Sequence, residues 1–129
     1  RQGLREQAEA AFKRAIELDP TNPAFFSDLG KLYADAAVDS SLESQRLRLW
    51  LSAAENYTQA SHLSLGENQS LFAQSAATCA LNAATILQAA NRRAEARELL
   101  TNVLRLLPGD SPFAANIRAR LAELGVAGG

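Results

Sequence analysis

One cysteine, Cys79, is all the chain contains, which excludes an internal disulfide and any cysteine-based zinc site. Histidine is equally scarce, with His62 alone, so no His/Cys cluster with metal-ligand spacing exists and no metal is expected. Methionine is absent altogether, as expected of a segment excised from a longer protein. Charge of one sign is also missing. Thirteen basic and 14 acidic residues spread along the chain leave a formal net charge of −1, too little field to steer nucleic acid or an anionic membrane. Nucleic acid is therefore not expected as a partner. No nucleophile stands beside a base in a recognisable spacing and no glycine-rich phosphate loop occurs, so neither an enzyme nor a cofactor site is predicted. The segment has no basic start followed by an apolar stretch, and both a cytoplasmic and a bacterial periplasmic or envelope location stay open.

Acidic and basic residues disappear entirely between Asn68 and Asn91. That stretch still holds Asn68, Gln69, Ser70, Gln74, Ser75, Thr78, Asn82, Thr85 and Gln88, too polar a set for a bilayer core. It reads as a helix buried between protein neighbours, and no direct membrane insertion is expected.

What is present is helix. With 129 residues, 47% of them apolar, the chain is long enough to bury one core, and a single domain is expected. Few β-branched residues and no persistent alternation argue against strands. Start and stop signals divide the chain into about six helices. The first runs from about Gly3 to Leu18, carries Leu4, Ala8, Phe12, Ala15 and Ile16 at helical spacing, and ends at Asp19-Pro20. Asn22 and Pro23 open a second, reaching roughly Ala37, with Phe26, Leu29, Gly30 and Tyr33 on its inner face. Ser40 and Glu43 have capping-box spacing for a long third helix continuing toward Leu65, with Gly66 as its stop. An alanine-rich fourth helix spans about Asn68 to Ala90. Asn91-Arg92 turns into a fifth ending near Leu107, and Ser111-Pro112 caps a sixth that stops at Gly125.

Within this frame Ala8-x3-Phe12, Ala15 and Asp19-Pro20 are followed by Phe26-x2-Leu29-Gly30-x2-Tyr33. This order resembles the end of one tetratricopeptide repeat and the beginning of the next. The pattern returns at Ala96-x3-Leu100, Val103 and Pro108. The middle departs from it, because the interval from Tyr33 to Ala53 is long enough to add roughly three helical turns around Leu42 to Trp50, and Ala53-x3-Tyr57 with Ala60 lacks the closing proline. The resemblance implies antiparallel helical hairpins stacked as a short right-handed solenoid. Residues 1–22 would be the second helix of a truncated repeat, 23–67 a lengthened hairpin, 68–110 a hairpin and 111–124 a capping helix. It implies further repeats or another domain upstream, and an exposed first helix that either lets copies of the chain associate or frays.

The family binds extended peptides or helices on the concave face formed by the first helix of each hairpin. On the matching stretches that face comprises Ser27, Lys31 and Asp35, then Leu81, Thr85 and Gln88, then Ala115 and Ala119. The resemblance thus implies a protein-interaction scaffold whose partner is another protein or peptide. The alternative is an oligomerisation or docking appendage of a larger, bacterial envelope or membrane protein. The clamp of lysine, arginine and asparagine that some members use for a terminal carboxylate is not expected here, since only Lys31 stands in this set. Outside it, His62 reads as a surface histidine and Cys79 as a small buried residue. Trp50 reads as a core aromatic, with an exposed binding anchor as the alternative. Arg92, Arg93 and Arg97, interleaved with Glu95 and Glu98, read as a solvated mixed-charge turn.

Overall fold

Six helices follow one another in the computed structural model, which describes residues 2–128, with side chains described from 3 to 125. They are α1 (Gln2–Leu18), α2 (Pro23–Asp39), α3 (Glu43–His62), α4 (Gly66–Ala89), α5 (Arg93–Leu104) and α6 (Pro112–Gly128). Among the described residues there is no strand, and the chain is all-α.

Local chemistry sets most of the boundaries. Asp19 N still donates to Ala15 O at 2.9 Å before Pro20 ends the α1 ladder. Asn22 sits in extended conformation and its Oδ1 accepts from Ala24 N at 3.0 Å, with Pro23 in the first helical position. At the α4–α5 junction Asn91 takes a positive φ of 62°. Arg92 N reaches Leu87 O at 2.8 Å and Asn91 N reaches Gln88 O at 3.0 Å, the paired bonds of a Schellman turn. Ser111 caps α6 by accepting from Phe113 N at 3.1 Å.

Four boundary expectations are corrected. The Ser40–Glu43 capping box does not form: Leu42 precedes the helix and makes no side-chain cap. Ser40 instead caps the end of α2, donating its N–H to Ala37 O at 3.3 Å, while its hydroxyl donates to Gln45 Oε1 at 2.9 Å. Next, α3 stops at His62, short of Leu65. Two buried serines account for this: Ser64 Oγ donates to Ala60 O at 2.7 Å, and Ser61 Oγ donates to Gln69 O at 2.9 Å, tying the end of α3 to the first turn of α4. Gly66 does occupy the left-handed region, at φ 63°, but at the entrance of α4 rather than the exit of α3. Third, α5 ends at Leu104 and not near Leu107. Leu106 N and Leu107 N fold back on Val103 O and Leu104 O at 3.0 and 3.1 Å, because Pro108 disfavours helical backbone at the residue before it. Finally, α6 passes through Gly125, which is not among the positive-φ glycines. Leu124, fully buried beside it, anchors the turn at a glycine cost of about 1 kcal/mol.

Each helix packs on its neighbours in the chain, and α4 packs on α6 as well. The largest fully buried side chains, Leu87, Leu100, Ile117 and Leu124, belong to α4, α5 and α6. Along α4, Ala73, Ala77, Ala80, Ala83 and Ala84 are all at 0% exposure in the same cluster; their small size lets the α3, α4 and α5 axes approach. By length and composition alone α4 is long and apolar enough to cross a membrane, but these alanines lie in the shared core with residues of α3, α5 and α6. In contrast, α1 contributes nothing to that cluster. Its principal contact is α2, Phe12, Ala15 and Ile16 are half-buried, and Leu4 and Leu18 are 62% and 70% exposed.

Candidate interaction face

The residues assigned to a binding face are carried by α2, α4 and α6. On α2, Leu29 and Gly30 are buried and turn Lys31 and Asp35 outward, where they form an exposed ion pair at 2.9 Å. Ser27 is occupied locally, donating to Ala24 O at 3.0 Å. Gly30 itself is a point of close approach between α2 and α3: a Cβ there would lie 3.0–3.2 Å from the Tyr57 ring. Burial pushes the Tyr57 hydroxyl up to about 12.

On α4, Leu81 is half-buried against the core, while Thr85 is exposed and Gln88 half-buried. Thr85 Oγ1 donates to Leu81 O at 3.0 Å and accepts from Arg120 Nη1 of α6 at 3.0 Å. A cleft of about 500 Å³ opens here between the end of α4, the start of α5 and the middle of α6, lined by Thr85, Gln88, Ala89, Arg93, Arg120 and Glu123. Arg120 Nε also lies 3.9 Å from Glu123 Oε1. Ala115 and Ala119 are exposed on α6 but do not line this cleft. Thus the fold gathers Thr85 and Gln88 with two arginines, whereas Asp35 lines separate depressions beside Ala36 and beside Trp50. Ser27, Lys31, Leu81, Ala115 and Ala119 line none of the principal clefts.

Ala89, Arg93, Arg120 and Glu123 are the members of this cleft that the sequence did not point to. Arg93 was visible only as one of three neighbouring arginines, and the structure separates the three. Arg92 is committed to Glu95 through two bonds of 2.7 and 2.8 Å. Arg97 Nη1 donates to Leu124 O at 3.2 Å. Arg93 Nη1 is buried and has no hydrogen-bond partner among the described residues.

Other candidates fall into place. Cys79 is buried, and burial alone raises its thiol to about 12, which leaves it protonated and unreactive at neutral pH. Trp50 is half-buried against the core and also lines a depression with Val38, Tyr57 and Thr78, so one side of the indole packs and the other is accessible. His62 is exposed at the end of α3. It borders a cleft of about 610 Å³, floored by Ala54 and Val103 between α3 and α5. No group of three or more potential metal ligands exists among the described residues. At the α1–α2 contact, Tyr33 Oη donates to Glu9 Oε2 and Lys13 pairs with Glu9 at 3.1 Å. The Tyr33 hydrogen bond, with Lys13 beside it, holds the Glu9 carboxyl below its ordinary range.

No protein-family model, curated protein or solved structure matches this chain.

Proposed function

We propose that the chain is a non-enzymatic protein-interaction module, a short right-handed solenoid of tetratricopeptide-like hairpins that holds a peptide or helix of another protein on the face shared by α2, α4 and α6. Packing of each helix on its chain neighbours supports the hairpin arrangement, as does the contact of Gly30 with Tyr57, where a small residue lets two helices touch. The observation that carries the binding reading is the junction of α4 and α6. These helices, separated in the chain by α5, pack on each other and are joined by Arg120–Thr85, so side chains from both open into one solvent-facing cleft. The cleft is shallow and open, and polar side chains converging on it from more than one helix offer a peptide several contacts at once. The same reading has no cofactor, no metal, no nucleic acid and no insertion of this segment into a membrane.

The test is selection of peptides from a displayed random library on the wild-type chain, followed by calorimetry with Thr85→Arg plus Gln88→Arg, both at residues that line the cleft. Two arginines at the cleft are expected to weaken the selected peptides at least tenfold, equivalent to about 1.4 kcal/mol, with helicity and melting unchanged. Unchanged affinity would remove the face from consideration.

A second reading, a docking or oligomerisation appendage of a larger bacterial envelope or membrane protein, is favoured by a different observation: the exposure of Leu4 and Leu18 on α1 and of Leu65, 89% exposed, between α3 and α4. Association of copies through α1 predicts a concentration-dependent mass in sedimentation that Leu4→Glu abolishes.

A further inference from the structure

We infer that the notch between α2, α3 and α4, lined by Trp50, Tyr57 and Asp35, is a subsite that takes a lysine or arginine side chain of the bound protein segment. The inference rests on the binding face proposed above: Asp35 belongs to that face, and Thr78, which also lines the notch, stands about two turns before Thr85 on α4. The notch has a volume of about 280 Å³, and Ala34, Val38, Trp50 and Tyr57 make much of its wall apolar. Val38 is 71% exposed, so apolar surface stands uncovered there. Asp35 is the one charged residue in the lining. A long basic side chain suits both features. Its methylene stem covers apolar surface while its head stays at the wet edge, and Trp and Tyr rings attract a cation over their faces.

The charge of the two outer walls sets the sign of the occupant. On the α4 side there is no Asp, Glu, Lys or Arg from Asn68 to the end of the helix. On the α2 side Asp28, Asp35 and Asp39 are all exposed, against the single ammonium of Lys31. The Tyr57 hydroxyl is raised by burial first, then by Cys79, Asp35 and Asp28, so two of these carboxylates act on the wall of the notch itself. The neighbouring cations do not fill it. Lys31 Nζ meets Asp35 Oδ2 at 2.9 Å, but both side chains are exposed and such a pair contributes little, so a basic residue from the partner displaces it. Arg46, about one turn before Trp50 on α3, donates to Ser40 O at 3.3 Å. Arg5 lies with Asp39 in the separate depression on the other side of Asp35. An acidic side chain in the notch meets repulsion from α2, and a purely apolar one leaves the Asp35 carboxylate without a gain.

Trp50 is the only tryptophan of the chain, so its fluorescence reports on the notch directly. The experiment titrates the wild-type chain at constant ionic strength with n-butylammonium, which reproduces the stem and head of lysine, and separately with 1-butanol, its neutral counterpart. Butylammonium is expected to shift the emission saturably with a dissociation constant of about 10 mM, roughly threefold or more tighter than 1-butanol, and Asp35→Asn to abolish that preference with helicity and melting preserved. Absence of a saturable shift, or 1-butanol binding as tightly as butylammonium, overturns the cation assignment without reference to any variant's folding. A second arm repeats the library selection. Lysine or arginine at one preferred position, a preference lost on Asp35→Asn, supports the subsite. Binders blocked by Thr85→Arg plus Gln88→Arg but indifferent to basic residues retain the face and overturn the subsite. Binders blocked neither by that pair nor by Asp35→Asn overturn both.

Discussion

At the scale of single residues, the tightest constraint is Gly30. Any β-carbon there meets the Tyr57 ring at 3.0 Å, tight enough that the ring has to shift, and the ring is itself packed against the core. Gly30→Ala gains the better helix propensity of alanine, about 1 kcal/mol, but overpacking costs about 1–3 kcal/mol. The net expectation is a loss of about 1 kcal/mol, read as a lower urea midpoint at unchanged slope. Pairing it with Tyr57→Leu relieves the clash, so a double-mutant cycle should show favourable coupling. Additive losses would mean that the ring yields freely and the contact is not limiting. The glycine was readable in the sequence as part of Leu29-Gly30-x2-Tyr33, but its partner was not, because Tyr57 lies on a different helix.

Between elements, the α1–α2 junction depends on ionisation. Tyr33 and Lys13 both contact Glu9, and the Tyr33 hydrogen bond lowers its carboxyl below the ordinary 4.5. A carboxyl with a lowered folded-state value contributes stability that is fully present above 4.5 and disappears as the pH falls through the lower folded value. Docking of α1 is therefore expected to weaken on acidification below about pH 4.5. Tyr33→Phe should flatten that dependence, as measured by thermal melts across pH 3 to 6; an identical pH profile in the variant would show that Glu9 is held by something else. Most element boundaries were legible from Asn22-Pro23, Asn91-Arg92 and Ser111-Pro112, where the signal lies within four residues. The end of α3 was not, because Ser61 and Ser64 stop it through bonds that reach back to Ala60 and across to Gln69.

Across the whole molecule, burial is unequal. The common cluster is built by α3 to α6, with Tyr33 and Ala34 of α2 packed against it and none of α1. Regions with few buried apolar contacts open at lower free energy than the global transition. Amides of α1 should accordingly exchange with solvent at least tenfold faster than those of α4 between Ala76 and Leu87, measured by hydrogen–deuterium exchange. Equal protection in the two helices would show that α1 is an integral part of the cooperative unit, and would remove the rationale for association through Leu4 and Leu18.

What the sequence determined by itself was the all-α class, the number and order of the helices, and the interior role of the charge-free helix around Cys79, since caps, prolines and amphipathic period act within a few residues. It also made Cys79 legible as a packing residue. Only the tertiary structure decided which polar groups are spent and which are free. The partners of Glu9, Thr85 and Arg97 lie 24, 35 and 27 residues away in the chain, distances over which no local signal operates. Arg92, Arg93 and Arg97 look alike in sequence. Folding commits the first to Glu95 and the third to Leu124, and buries one guanidinium nitrogen of the second without a hydrogen-bond partner among the described residues.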